Sequence, residues 1–405
     1  MENNPLCLKN EIQYYAWGSY SFIQDLLGAG PTDTPWAELW MGAHPKAPSK
    51  IQVSDGWQAL DRLIETYPEE ILGHRTARRF NNTLPYLFKV LAAEQPLSIQ
   101  AHPNREQAKN GFDRENHEGI PLTASDRNYK DDRHKPECIC ALTPFWAMEG
   151  FRPITEMVEL LSAACPKALG DAIEFLKQNS SGNGFQRFFE ALMTLPEQKL
   201  QKVIDETAGN AMARQSENDE FRWIKTLYEL YPEDIGILSP ILLNLVCLQP
   251  GEALFLNSGE MHAYLHGAGI EIMANSDNVL RGGLTAKHVD VEELMRVLNF
   301  EPHGLEILTP QDRLACEKIY PTSAEEFSLG IIQVDSHCTY ATDQIIGPEI
   351  LLCVRGEGEI RWDDAAASMR ISQGDTFLIP AAVSRYSISG AAEIYRAAVG
   401  DLLPA

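Results

Sequence analysis

The chain has 405 residues, 44% of them hydrophobic and 22% charged, with 28 glycines and 24 prolines. This is soluble globular material, too long for one ordinary core. Its 34 basic and 57 acidic side chains leave a net charge of −23, which disfavours nucleic acid and anionic membrane surfaces as partners. Any small anion it binds must meet a local basic pocket.

The opening, Met1-Glu-Asn-Asn-Pro-Leu-Cys7, has neither the basic start nor the apolar core of a signal peptide, and no apolar run approaches a membrane span. The eight cysteines, at 7, 138, 140, 165, 247, 316, 338 and 353, are scattered among apolar neighbours, as buried reduced thiols are, so the expected compartment is the cytoplasm. Cys138 and Cys140 alternate away from Glu137 in a strand and read as core thiols rather than metal ligands.

Residues 14–49, rich in aromatics and turn formers, suit short strands and loops. Leu60, Leu63, Ile64, Ile71 and Leu72 recur at helical spacing, and Leu84 to Ala92 is an apolar run broken only by Lys89. Leu97-Ser-Ile-Gln-Ala-His-Pro103 reads as a strand with Ile99 and Ala101 on one face and Ser98, Gln100 and His102 on the other, ended by Pro103. Residues 137–151 give two strands about Thr143-Pro144. From 153 to about 233 the period turns helical, as in Met157, Leu160, Leu161 and Phe188, Phe189, Leu192.

Strand-like sequence resumes at Ile241, and an internal repeat follows. Gly251-Glu-Ala-Leu-Phe-Leu-Asn-Ser-Gly-Glu-Met-His262 aligns without gaps with Gly374-Asp-Thr-Phe-Leu-Ile-Pro-Ala-Ala-Val-Ser-Arg385. Glycine, acid, four strand residues, a loop and a histidine resemble the second motif of cupins, which are double-stranded jelly rolls. Arg385 stands where the first copy has His262, so the second copy is expected to hold no metal. The expected fold is mainly β with an α-helical insertion: two cupin-type jelly-roll domains plus a helical domain. The divisions are 1–152 with 237–315 for a metal-binding domain, 153–236 for the helical insertion, and 316–405 for a metal-free C-terminal domain.

Gln100, His102, Glu137 and His262 bring an amide oxygen, two imidazoles and a carboxylate from three distant segments. Neutral imidazoles, an amide and one carboxylate leave a divalent ion about one unit of positive charge, enough for a Lewis acid. The polar stretch after His262 holds Ser276-Asp277-Asn278, then Arg281 before Gly282-Gly283, and Lys287. Two cations beside glycines that admit a ligand suit a phosphate clamp.

The segments Tyr15-Ala-Trp-Gly18, Ala37-Glu-Leu-Trp-Met-Gly-Ala-His-Pro-Lys46, Pro96-Leu-Ser-Ile-Gln-Ala-His-Pro103, His134-Lys-Pro-Glu137 and Ser276-Asp-Asn-Val-Leu-Arg281 resemble the type I mannose-6-phosphate isomerases, in that order. The resemblance implies an aldose–ketose isomerase with one zinc per chain on Gln100, His102, Glu137 and His262. It implies that Arg281 is the catalytic-site residue and that Lys89, Lys135, Glu271, Asp277 and Lys287 line the active site. The expected catalytic set is Arg281, Lys135, Asp277 and Lys89, with the proton carrier open among Asp277, Glu271, Lys89 and an unliganded histidine, and Trp17, Glu38, Ser98, Tyr264, Glu271 and Lys287 are expected to contact the sugar phosphate. A monomer with a small-molecule substrate is expected, with no nucleic acid or membrane partner. Two departures from the family pattern stand out, Met261 where proline is frequent and Gly282 where alanine is common. Two rival readings are an iron(II) oxygenase built on His102, Glu137 and His262, against which Gln100 argues by filling the position oxygen needs, and a non-catalytic sugar-binding cupin.

Overall fold

The computed structural model describes residues 3–53, 56–342, 347–363 and 368–400. Its strands form two antiparallel sheets, and among the described residues neither closes into a barrel. No helix is long and apolar enough to cross a membrane.

The first sheet is organised on the long strand His262–Ala274. Its first residues pair with Phe145–Phe151, and from Gly267 onward it pairs with Tyr86–Ala93 on one edge and, from Gly269, with Glu137–Ala141 on the other. Gly267 makes the change of partners possible: its φ is +120°, and a Cβ there would lie 2.6 Å from the Pro144 carbonyl oxygen. Tyr86–Ala93 is buried along its whole length, which accounts for its unbroken apolar sequence around Lys89. The strand read through Leu97–Pro103 is shorter than its alternation suggests and spans Ile99–Ala101. Leu97 donates its N–H to the Tyr264 carbonyl instead, and His102 stands just past the strand end.

Helices Ile154–Ala164, Gly170–Gln178, Gly182–Met193, Glu197–Arg214 and Asp219–Leu230 fill the segment with helical period. Their apolar faces (Met157, Leu161, Phe188, Phe189, Ile224) share one core with Ile99, Met148 and Phe151 of the first sheet. The helical layer therefore backs the sheet that carries the polar residues.

The repeat is visible atom by atom. Ala253–Leu256 and Thr376–Ile379 are the corresponding strands, entered through Gly251 at φ +90° and Gly374 at φ +87°. In each turn the acid caps the same N–H: Glu252 accepts from Gln249 and Asp375 from Ser372, both at 2.8 Å. The second sheet also takes in Leu6–Lys9, which pairs with Thr376–Ile379, and through it Lys50–Val53. Leu39, Phe88 and Ile272 of the first sheet share a core with Ile350, Leu378 and Ala397 of the second.

The expectation of reduced thiols fails at Cys316 and Cys338, which form a disulfide with Cα atoms 6.0 Å apart. Long-range pairing brings them together: Gln333 donates its N–H to the Cys316 carbonyl, and Asp335 donates to that of Cys338. The other six are free, Cys138 and Cys140 deep in the core as read from the sequence.

Candidate active site

Three of the four predicted ligands converge. His102 follows Ile99–Ala101, Glu137 opens Glu137–Ala141, and His262 opens the long strand. His102 Nε2 lies 3.3 Å from one Glu137 oxygen and His262 Nε2 lies 3.5 Å from the other. All three residues are buried. Gln100 is the cross-strand partner of both His262 and Arg281, and directly paired residues share a face, so these three line one row.

Protons decide what this cluster can bind. His102 Nδ1 donates to the Asn278 carbonyl at 2.7 Å, and His262 Nδ1 donates to that of Glu260 at 3.0 Å. Each ring then turns an unprotonated Nε2 toward Glu137. Burial, then the nearby Lys135 ammonium, pushes His102 down to about 4, so it is neutral near pH 7. Burial opposes the charge on Glu137, but Lys135 at 2.9 Å together with His102 and His262 outweighs it and holds the carboxyl well below the usual range. Among the described residues the buried His102 Nε2 has no hydrogen-bond partner. Two lone pairs and a carboxylate facing one another fit a divalent cation, and the backbone bonds at both Nδ1 atoms fix the ring orientations.

A second polar chain runs beside it. Lys89 Nζ lies 2.7 Å from Glu271 and 3.5 Å from Glu38, whose other oxygen accepts from the Trp40 indole at 2.8 Å. Burial works against the Lys89 ammonium, but Glu271 and Glu38 hold it well above the ordinary lysine range. Burial raises Glu271, Lys89 opposes that, and Glu137 and Glu38 add to it. Among the described residues the buried Tyr264 hydroxyl has no hydrogen-bond partner, and burial, then Glu271 and Glu137, keeps the phenol protonated.

Ser276-Asp277-Asn278 is a brace. Asn278 Oδ1 accepts from the Lys130 N–H at 2.7 Å, and its amide donates to the carbonyls of Asp131 and Arg133 at 2.8 Å, fixing the carbonyl that holds His102. Burial disfavours charge on Asp277, but His44 and Lys46 more than offset it and keep the carboxyl ionised far below its usual range. Lys46 lies 2.9 Å away and His44 3.5 Å. Asp277 faces a cavity of about 450 Å³ that His44, Lys130 and Asp131 also line.

Arg281 is half-buried, and among the described residues its guanidinium has no ion pair or hydrogen bond. Burial lowers its pKa, and burial together with Arg281 lowers that of Lys287. Trp17 sits in a turn and stacks on Tyr15 at 5.6 Å. Ser98 precedes the short strand, half-buried, and makes no side-chain hydrogen bond among the described residues. The sequence reading gave no role to Tyr15, His44, Lys46, Lys130 or Asn278; all but Lys130 lay inside quoted motifs and were findable there. The two departures from the family pattern touch: a Cβ on Gly282 would lie 2.1 Å from the Met261 methyl carbon, so the longer side chain occupies the space the missing methyl leaves.

Residues 6–154 match the family model described as phosphomannose isomerase type I, catalytic domain, and 317–399 match mannose-6-phosphate isomerase, cupin domain. The mannose-6-phosphate isomerase of Salmonella typhimurium is 39% identical, the alignment covering 96% of this chain and 98% of that protein. The human enzyme of the same name is 36% identical, with 85% of this chain and 86% of its own length aligned. A crystal structure of zinc-bound mannose 6-phosphate isomerase superposes with a TM-score of 0.89 at 37% identity, covering 98% of this chain and all of that one. Identity of this extent over nearly the full length goes beyond shared architecture, and the chain belongs to the type I phosphomannose isomerase family.

Proposed function

We propose that this chain interconverts mannose 6-phosphate and fructose 6-phosphate, with one zinc held by Gln100, His102, Glu137 and His262 and a proton passed between neighbouring carbons through an enediolate. One observation carries the reading: a buried donor set with both imidazole lone pairs turned on Glu137, in the same row as Arg281, which is unpaired among the described residues of an acidic chain. Bound zinc would supply fixed positive charge that polarises the sugar's carbonyl and hydroxyl oxygens.

The side chains divide the remaining work. Lys89 arrives protonated and is no base at rest. With Glu271 at 2.7 Å it forms a pair that can release a proton at one end and accept one at the other. Lys135 and Arg281 stabilise the negative charge that builds on the enediolate oxygens. Asp277, already ionised and gripped by Lys46, positions rather than titrates. Trp17, Glu38, Ser98 and Tyr264 orient the sugar, and Lys287 draws the phosphate.

The division we propose keeps 1–152 with 237–315, 153–236 and 316–405 as units, with Leu6–Lys9 lent to the C-terminal sheet. We place the chain in the cytoplasm as a monomer, a location its six free cysteines support. A coupled assay with fructose 6-phosphate tests the whole reading: activity is expected to vanish on chelation and return with added zinc. Full turnover by protein stripped of zinc would overturn it.

A further inference from the structure

Beside His262, on the side away from Gln100, lies a group of ligand-type side chains that the isomerase reading does not use. Glu149 is the other cross-strand partner of His262, so it extends the row that runs from Arg281 through Gln100. Glu149, Glu260 and His303 each present an oxygen or nitrogen, and these atoms lie within 4.8 Å of one another. We propose that they form a second divalent-cation site, of the manganese and zinc class that accepts mixed carboxylate and imidazole donors.

The histidine is oriented as His102 and His262 are. His303 Nδ1 is 3.0 Å from the Gly304 carbonyl oxygen and its Nε2 is 3.1 Å from Glu260 Oε2. Asn299 donates to Glu260 Oε1 at 3.0 Å, which holds that carboxylate with its other oxygen toward the cluster. Glu149 is 6% exposed, and among the described residues its carboxylate has no hydrogen bond or ion pair. Burial and the neighbouring Glu260 both disfavour charge on Glu149, and a cation at the centre of the three would offset them.

The backbone makes room for the arrangement. Gly150 has φ +61°, and a Cβ on it would lie 2.7 Å from His303 Nε2 and 3.3 Å from Glu260 Oε2, inside the space the ligands enclose. Asn244 ties the segments together by donating to the carbonyls of Glu149 and His303, each at 3.0 Å. Two carboxylates and a neutral imidazole would leave a divalent ion formally neutral, a poorer Lewis acid than the ion on a single carboxylate. Its effect would pass through Glu260, whose own carbonyl holds Nδ1 of His262. The competing arrangement puts a proton on His303 Nε2 and leaves a simple imidazolium–carboxylate pair.

The test uses the full-length zinc-loaded protein, dialysed to equilibrium against manganese(II) and assayed for both metals, with the manganese followed by its electron paramagnetic resonance. Wild type is expected to carry one zinc and one manganese. Glu149→Gln and His303→Ala are expected to keep the zinc and lose the manganese, with His303→Ala protecting the test against a folding defect because His303 is partly exposed. Wild type that takes up no manganese at millimolar concentration, or variants that bind it as wild type does, would overturn the site. Either failure leaves the zinc and the isomerase assay untouched, so it is separable from failure of the proposed function.

Discussion

Glu349 occupies in the second repeat the register position that Glu137 occupies in the first: Glu137 pairs with Leu256 and Glu349 with Ile379, the last residues of the two corresponding strands. The neighbours differ. Glu349 is closed off by the Arg396 guanidinium and by the Tyr386 hydroxyl at 2.7 Å, so a fixed cation stands where the first copy has an open cluster. Glu137→Gln is expected to abolish zinc binding, while Glu349→Gln leaves zinc content at the wild-type level. Arg396→Met, which leaves buried Glu349 without its cation and Glu317 with only the partly exposed Arg313 at 3.3 Å, should cost about 3–5 kcal/mol in a denaturation experiment. Loss of zinc from the Glu349 variant would show that the second repeat takes part in binding metal.

Arg281 should act on the chemical step. Its guanidinium is unpaired among the described residues, so nothing in the fold depends on its charge. Arg281→Ala is expected to lower kcat by roughly 10² to 10³, as for loss of one charge-stabilising donor, with zinc retained and Tm near wild type. Lysine there should rescue poorly, because a point charge lacks the planar fork. A raised KM with unchanged kcat would reassign Arg281 to ground-state phosphate binding.

The lowered pKa of His102 has a thermodynamic sign. In the metal-free protein the folded state takes up this proton near pH 4, while the unfolded chain takes it up near 6.5, so between those values the unfolded state holds more protons. Stability must then fall as pH drops through that window, by about 3 kcal/mol in total. Urea unfolding of metal-free wild type and His102→Gln at several pH values isolates this group, since the variant should show a shallower slope between pH 4 and 6.5. Parallel slopes would mean that folded His102 titrates normally.

Met261 and Gly282 should behave as one packing unit. Gly282→Ala is expected to cost about 1–3 kcal/mol by overpacking against the Met261 methyl carbon. Met261→Ala should cost about 2–3 kcal/mol through the cavity left in a buried site. Combined, they should cost less than the sum by more than about 0.5 kcal/mol, because the new methyl group enters the vacated space. Strict additivity in a double-mutant cycle would separate the two positions.

What could be read in advance was whatever repeats locally or carries unusual chemistry. The turn at Gly251 and its copy at Gly374 were legible residue by residue, since glycine, acid and a short apolar run are set by neighbours in sequence. His102, Glu137 and His262 stood out because imidazoles and a carboxylate in apolar surroundings need a reason. Long-range register was not legible. Nothing near Cys316 points to Cys338, nothing in Leu6–Lys9 points to Thr376–Ile379, and Glu149 could not be placed beside His262 before the strands were paired. The strand through Gln100 was overextended because alternation continues past Ala101 although the ladder stops there.

The pairing of Leu6–Lys9 with Thr376–Ile379 sets an order on biosynthesis. Leu6–Lys9 leaves the ribosome long before Thr376–Ile379, so it must wait, unpaired, while the chain between them is made. Closing so long a loop is entropically unfavourable and slow, which makes docking of Leu6–Lys9 a late step of maturation. Until then Lys50–Val53, which pairs with that strand, has one open edge, and the nascent chain presents a sticky surface that chaperones are suited to cover.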